Sequence, residues 1–159
     1  MTRKQLMSIT AVAVLALVLA PIACKSSGMA LTSRGQLLKL DIEHPNDLPE
    51  QGVDNLDIQV TNAGINDMQH ILLEVELPPQ LIVMDQSQDR GVNSQHDPNS
   101  TMWRFSFGNV QAGERSTVRF RVRTAFGTMS ETGSVKATAW QEGLPGDKLI
   151  ETAVIKLRQ

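Results

Sequence analysis

The stretch Trp103–Arg123, WRFSFGNVQAGERSTVRFRVR, restricts the fold of this chain more than any other. Trp103, Phe105 and Phe107 alternate with Arg104 and Ser106. Beyond a turn containing Gly113, Val118, Phe120 and Val122 alternate with Arg119, Arg121 and Arg123. Successive side chains of a strand point to opposite faces, so this two-residue period on both sides of a turn predicts two half-buried antiparallel strands. Both apolar faces need one common core, and two packed sheets supply it.

The same period recurs along the chain. Leu38, Leu40 and Ile42 alternate with Lys39 and Asp41; Leu56, Ile58 and Val60 alternate with Asp57, Gln59 and Thr61. Ile71, Leu73, Val75 and Leu77 form a third set, ended by Pro78-Pro79, which cannot donate to a ladder. Leu81 and Val83 begin a short apolar strand. Val135, Ala137 and Ala139 mark another, and Leu149–Leu157 the last, with Ala153, Ile155 and Leu157 inward. No window after residue 24 carries a helical period.

Short strands at this spacing, divided by Gly and Pro turns, predict an all-β chain: an immunoglobulin-like β-sandwich of seven to eight antiparallel strands over residues 36–158. In an immunoglobulin-like Greek key, the Leu56 strand pairs with the Val118 strand and the Ile71 strand with the Val135 strand. Asp57 then faces the row of Arg119, Arg121 and Arg123, and Glu74 and Glu76 lie opposite Lys136. The polar segment Asp85–Ser100 is expected to be a surface loop and a candidate recognition loop.

The N-terminus reads as an address. Arg3 and Lys4 precede an apolar run, Ile9–Ala20, too short to span a bilayer, followed by Pro21-Ile22-Ala23-Cys24. This resembles the lipobox of bacterial lipoproteins, in which the cysteine is lipidated and becomes the new N-terminus. The resemblance implies a signal peptide over residues 1–23, lipidation of Cys24, and a Ser/Gly-containing tether over residues 24–35. It also implies a membrane-anchored protein of the bacterial cell envelope. Lys25 gives no signal for inner-membrane retention, so the outer membrane is expected. A cut after Ala30 is the alternative; it would discard Cys24 and release a soluble secreted protein.

The segments TNAG (Thr61–Gly64), ELPPQL (Glu76–Leu81), WRFSFGNVQAGE (Trp103–Glu114) and STVRFRV (Ser116–Val122) resemble a bacterial conserved-repeat domain of unknown function (type 11). They also resemble the related cell-adhesion-related domain; both are immunoglobulin-like. The resemblance spans residues 36 to 158. It implies an extracytoplasmic setting and brings no catalytic residues.

Net charge is −2, and the two cations of the signal segment leave −4 from Cys24 onward. A mildly acidic domain offers no electrostatic footprint for nucleic acid. Cys24 is the single cysteine, so no disulfide forms within the chain. His44, His70, His96 and Asp97 share no metal-ligand spacing, and the nucleophile-elbow, phosphate-loop and zinc-helix motifs are missing from the sequence. No catalytic residue, metal or cofactor is therefore expected. The candidate binding residues are Arg119, Arg121, Arg123 and Trp140. The arginines fit either an anionic partner or a solvated face balanced by carboxylates. Two functions remain open. One is a non-catalytic envelope protein making protein–protein or adhesion contacts; the other is an accessory module for a glycan or anionic envelope polymer.

Overall fold

The computed structural model describes residues 23–128 and 131–158 of the 159-residue chain. The expected signal peptide, residues 1–23, lies outside the described residues except for Ala23. The strands form two sheets. One contains, in spatial order, β1 (Ala23–Leu31), β2 (Leu37–Pro45), β4 (Val53–Asn62), β9 (Arg115–Thr124) and β6 (Leu81–Gln88). The other runs β3 (Asp47–Pro49), β11 (Leu149–Arg158), β10 (Glu131–Gln141), β5 (Met68–Glu76), β8 (Met102–Val110) and β7 (Val92–His96). Neighbours are antiparallel except β3 beside β11. No helix occurs among the described residues. The result is an immunoglobulin-like β-sandwich.

The alternating residues close on one core. Leu40, Ile42, Ile58, Val60 and Phe120 of the first sheet are buried, as are Ile71, Leu73, Phe105, Phe107 and Ile155 of the second. Phe120 meets Trp103 and Phe105 edge-on, with ring centroids 5.3 and 5.9 Å away. Burial of each such side chain contributes about 1.5–3 kcal/mol.

The expected pairings are present: β4 with β9, placing Asp57 opposite Arg119, and β5 with β10, placing Glu76 opposite Lys136. Glu74 instead accepts from Arg104 Nε on the other neighbour, β8, at 2.9 Å.

Three segments depart from expectation, and they raise the strand number to eleven. Residues 24–35 are not an irregular tether: Ala23–Leu31 is strand β1, in register with β2 over nine pairs. The Asp85–Ser100 segment is not one loop, because β6 continues to Gln88 and β7 follows after a short turn. The third addition is β3, three residues long.

Close packing explains the linker-like composition of β1. Cys24, Ser26, Gly28 and Ala30 lie on the face toward β11, and a Cβ added at Gly28 would stand 1.8 Å from Glu151 Oε1. The Ser26 hydroxyl lies 2.8 Å from Glu151 Oε2 and 3.1 Å from the Thr152 carbonyl oxygen. On the other face, Ser27 donates to the Asp41 carboxylate, whose side chain is fully buried. Lys39 Nζ donates to it at 2.9 Å, and Lys25 Nζ lies 3.4 Å away.

Burial pushes the Asp41 carboxyl up, but the Ser27 and Lys39 hydrogen bonds and the nearby ammonium groups outweigh it, so it is held below the usual carboxylate range. A depressed folded-state value stabilises the fold above the unfolded value, about 3.9, and the contribution is lost as pH falls through the folded value. Asp41→Asn is expected to cost about 1–3 kcal/mol at neutral pH. Its urea midpoint should also fall less steeply than wild type below about pH 5. Parallel slopes would remove Asp41 as a source of the acid sensitivity.

Candidate functional site

The three candidate arginines lie on the outer face of the first sheet, at alternate positions of β9. Arg119 is ion-paired: its Nε donates to Asp57 Oδ1 at 2.7 Å and its Nη2 to Asp57 Oδ2. The paired carboxylate holds the Arg119 proton more firmly than usual. Arg121 is exposed and in register with Asn55 on one side and Asp85 on the other. Arg123 is half-buried between Val53 and Ile82. They do not form one open cationic patch: the first is neutralised, the second is in register with an acid, and the third sits in apolar company. The Arg119–Asp57 pair is more than half exposed on the arginine side. A double-mutant cycle with Arg119→Ala and Asp57→Ala should therefore return a coupling of only about 0.2–1 kcal/mol. Coupling well above that would make the pair a structural clamp.

Trp140 lies on the outer face of the opposite sheet. It stands in register with Leu72 on β5, is half-buried, and carries Lys148 Nζ 4.4 Å from its ring centroid. The sandwich therefore separates Trp140 from the arginines by its full thickness. Alternation gave each residue its phase on its own strand; strand order put the two outer faces on opposite sides.

Cys24 is half-buried near the start of β1, opposite His44. His44 itself is buried within β2, and its Nδ1 lies 2.9 Å from the Pro45 carbonyl oxygen. Among the described residues, no group of three or more His, Cys, Asp or Glu side chains is placed to hold a metal.

A further feature was not legible in the sequence. On the side where β1 and β11 meet, the sandwich is closed. On the other side, beside the edge strands β6 and β7, lies an open cleft of about 560 Å³. Leu77, Pro78, Leu81 and Val83 line one part of it, His96 and Trp103 another. The His96 and Trp103 rings stack at 3.7 Å, 1° from parallel. His96 Nδ1 lies 3.2 Å from the Met102 carbonyl oxygen. Apolar walls, an aromatic stack and strand edges unpaired among the described residues suit an extended peptide segment. The signal for this cleft was weak, because in β7 (VNSQH) only Val92 is buried.

A second hollow, about 480 Å³, opens beside the start of β1 and is lined by Glu43, Asp47, Asp54 and Asp57. It makes that corner acidic.

No protein-family model and no curated protein matches the sequence. Solved structures do match the fold. The third ScaC cohesin of Acetivibrio cellulolyticus, solved in complex with the ScaB dockerin, aligns at a TM-score of 0.51 with 8% identity. The match covers 71% of this chain and 97% of the cohesin. The seventh ScaB type I cohesin of Pseudobacteroides cellulosolvens aligns at 0.50 with 6% identity, covering 70% of this chain and 85% of that one. At such identities the likeness is one of fold: the chain is similar to the cohesins as an immunoglobulin-like β-sandwich.

Proposed function

We propose that this chain is a bacterial cell-envelope lipoprotein, anchored through Cys24, whose immunoglobulin-like domain contacts another envelope or surface protein and performs no catalysis. The observation that carries the reading is the position of β1. The strand begins at Ala23, beside the lipobox-like cysteine, and the fold uses it throughout its length. A cut after Ala30 would leave only Leu31 of β1. It would strip Asp41 of Ser27 and Lys25, and Glu151 of Ser26. Processing at Cys24 removes only Ala23 from the strand. Acyl chains contribute about 0.8 kcal/mol per buried methylene, so several chains would hold the protein stably on a membrane.

A protein partner fits the cleft between β6 and β7, where strand edges and apolar walls lie together. A cohesin of the same fold meets a dockerin, which supports a protein as the class of partner. The alternative, a module for a glycan or anionic polymer on the arginine face, is weakened by the Arg119–Asp57 pair.

Two measurements test the reading. The wild-type protein is expected to enter the detergent phase, and Cys24→Ala to stay in the aqueous phase. A photo-crosslinker replacing Met84, 52% exposed at the cleft rim, should give one discrete protein adduct in intact envelopes. The adduct should survive Arg121→Glu. Equal partitioning contradicts the anchor, and an adduct lost with Arg121→Glu favours the polymer alternative.

A further inference from the structure

The inference rests on the Cys24 anchor, and it concerns what the anchor does to the orientation of the domain. Because β1 starts at Ala23, no spacer separates an acyl group on Cys24 from the folded sheet. The end of the sandwich where β1 begins then lies against lipid.

Register identifies the residues at that end. Ala23 pairs with Pro45, and Glu43, two residues earlier on β2, pairs with Asp57. The level of Ala23 therefore passes through Asn55 and its partner Arg121. Two residues beyond that level, Val53, Arg123 and Ile82 stand side by side across β4, β9 and β6. At about 3.3 Å per residue, this row projects about 7 Å past Ala23. Phe126 follows in the turn after β9. That turn is built rather than loose: Ala125 N–H donates to the Gln80 carbonyl at 2.8 Å and Gly127 N–H to Glu50 Oε1 at 2.8 Å. It holds Phe126 83% exposed, with Val53 at 43% and Ile82 at 40%.

This display lies outside the buried core. Arg123 lies within the display, and its Nε is buried without a hydrogen-bond partner among the described residues. A guanidinium on an aliphatic stem, flanked by apolar side chains, suits a lipid interface, where the stem meets acyl chains and the head meets phosphate. Glu50, Asp54 and Asp85 border the patch, so attraction to anionic lipid is not its driving force. The acidic hollow at the start of β1 faces the same lipid, so contact with an anionic surface should strengthen as salt screens the repulsion.

We propose that Phe126, Val53, Ile82 and Arg123 form a membrane-contact surface that seats the anchored domain on lipid headgroups in one orientation. The opposite end, with Ile65 92% exposed in the turn between β4 and β5, then points away from the membrane.

The test places an environment-sensitive dye at F126C or at I65C in two preparations. One is the native lipidated protein in vesicles of phosphatidylethanolamine and phosphatidylglycerol. The other is the mature Cys24→Ala chain, held on the same vesicles by an N-terminal polyhistidine tag and a nickel-chelating lipid. In both, a lipid-borne quencher is expected to quench the dye at 126 several-fold more than the dye at 65. Val53→Ser with Ile82→Ser should abolish the difference while leaving the thermal melt unchanged. Equal quenching at 126 and 65, or a difference that survives both serine changes, overturns the contact surface. Absence of acyl mass on Cys24 overturns the anchor instead, while preferential quenching at 126 in the tagged chain still supports the surface.

Discussion

A chain that begins at Leu31 is expected to be about 3 kcal/mol less stable than one that begins at Cys24, roughly 10 °C in melting temperature. The loss comes from the seven ladder pairs that Cys24–Ala30 make with β2 and from the Ser26 and Ser27 contacts. Against a total of about 5–15 kcal/mol for an ordinary domain, that is a large share. The shortened chain also bares the edge of β2, a row of unpaired backbone groups open to another chain, so it should associate as concentration rises. Thermal melts with light scattering on both forms check this. Coincident melts would make β1 dispensable and restore the cut after Ala30 as a processing site compatible with the fold.

Phe120→Ala should be more damaging still, at about 3–5 kcal/mol. Phe120 is fully buried near the middle of β9, and two aromatic rings meet it edge-on, Trp103 from β8 at the cleft and Phe105 from deeper in the core. Truncation leaves a cavity that both rings border. The cleft should loosen with it, because Trp103 carries the His96 stack. Phe126→Ser, at an exposed position, should change stability by less than about 0.5 kcal/mol. Urea unfolding of the two variants beside wild type measures the contrast. A mild effect at Phe120 would mean that the two sheets repack without it.

The strands that bury one full face were legible in the sequence, because a two-residue apolar period has one simple structural cause. The pairing of Asp57 with Arg119 and of Glu76 with Lys136 followed from that period and from the order of the strands. What escaped were strands whose composition answers to other constraints. In β1, the small residues Ser26 and Gly28 reflect the close approach of Glu151, and the sequence alone cannot distinguish such residues from a flexible tether. In β7, one buried residue in five leaves no period to detect. The separation of Trp140 from the arginines follows from sheet order, a long-range property that no local window carries. The cleft lies beside two edge strands of different sheets, and His96 and Trp103 meet across a pairing that polar β7 concealed.

In the proposed lipoprotein, the strand the fold requires is also the strand that carries the anchor. The intact mass of the mature protein, wild type beside Cys24→Ala, tests this most directly. The wild-type chain is expected to begin at Cys24 with acyl groups added, and the Cys24→Ala protein to lack them. A mature chain that begins at Leu31 and carries no lipid would contradict it.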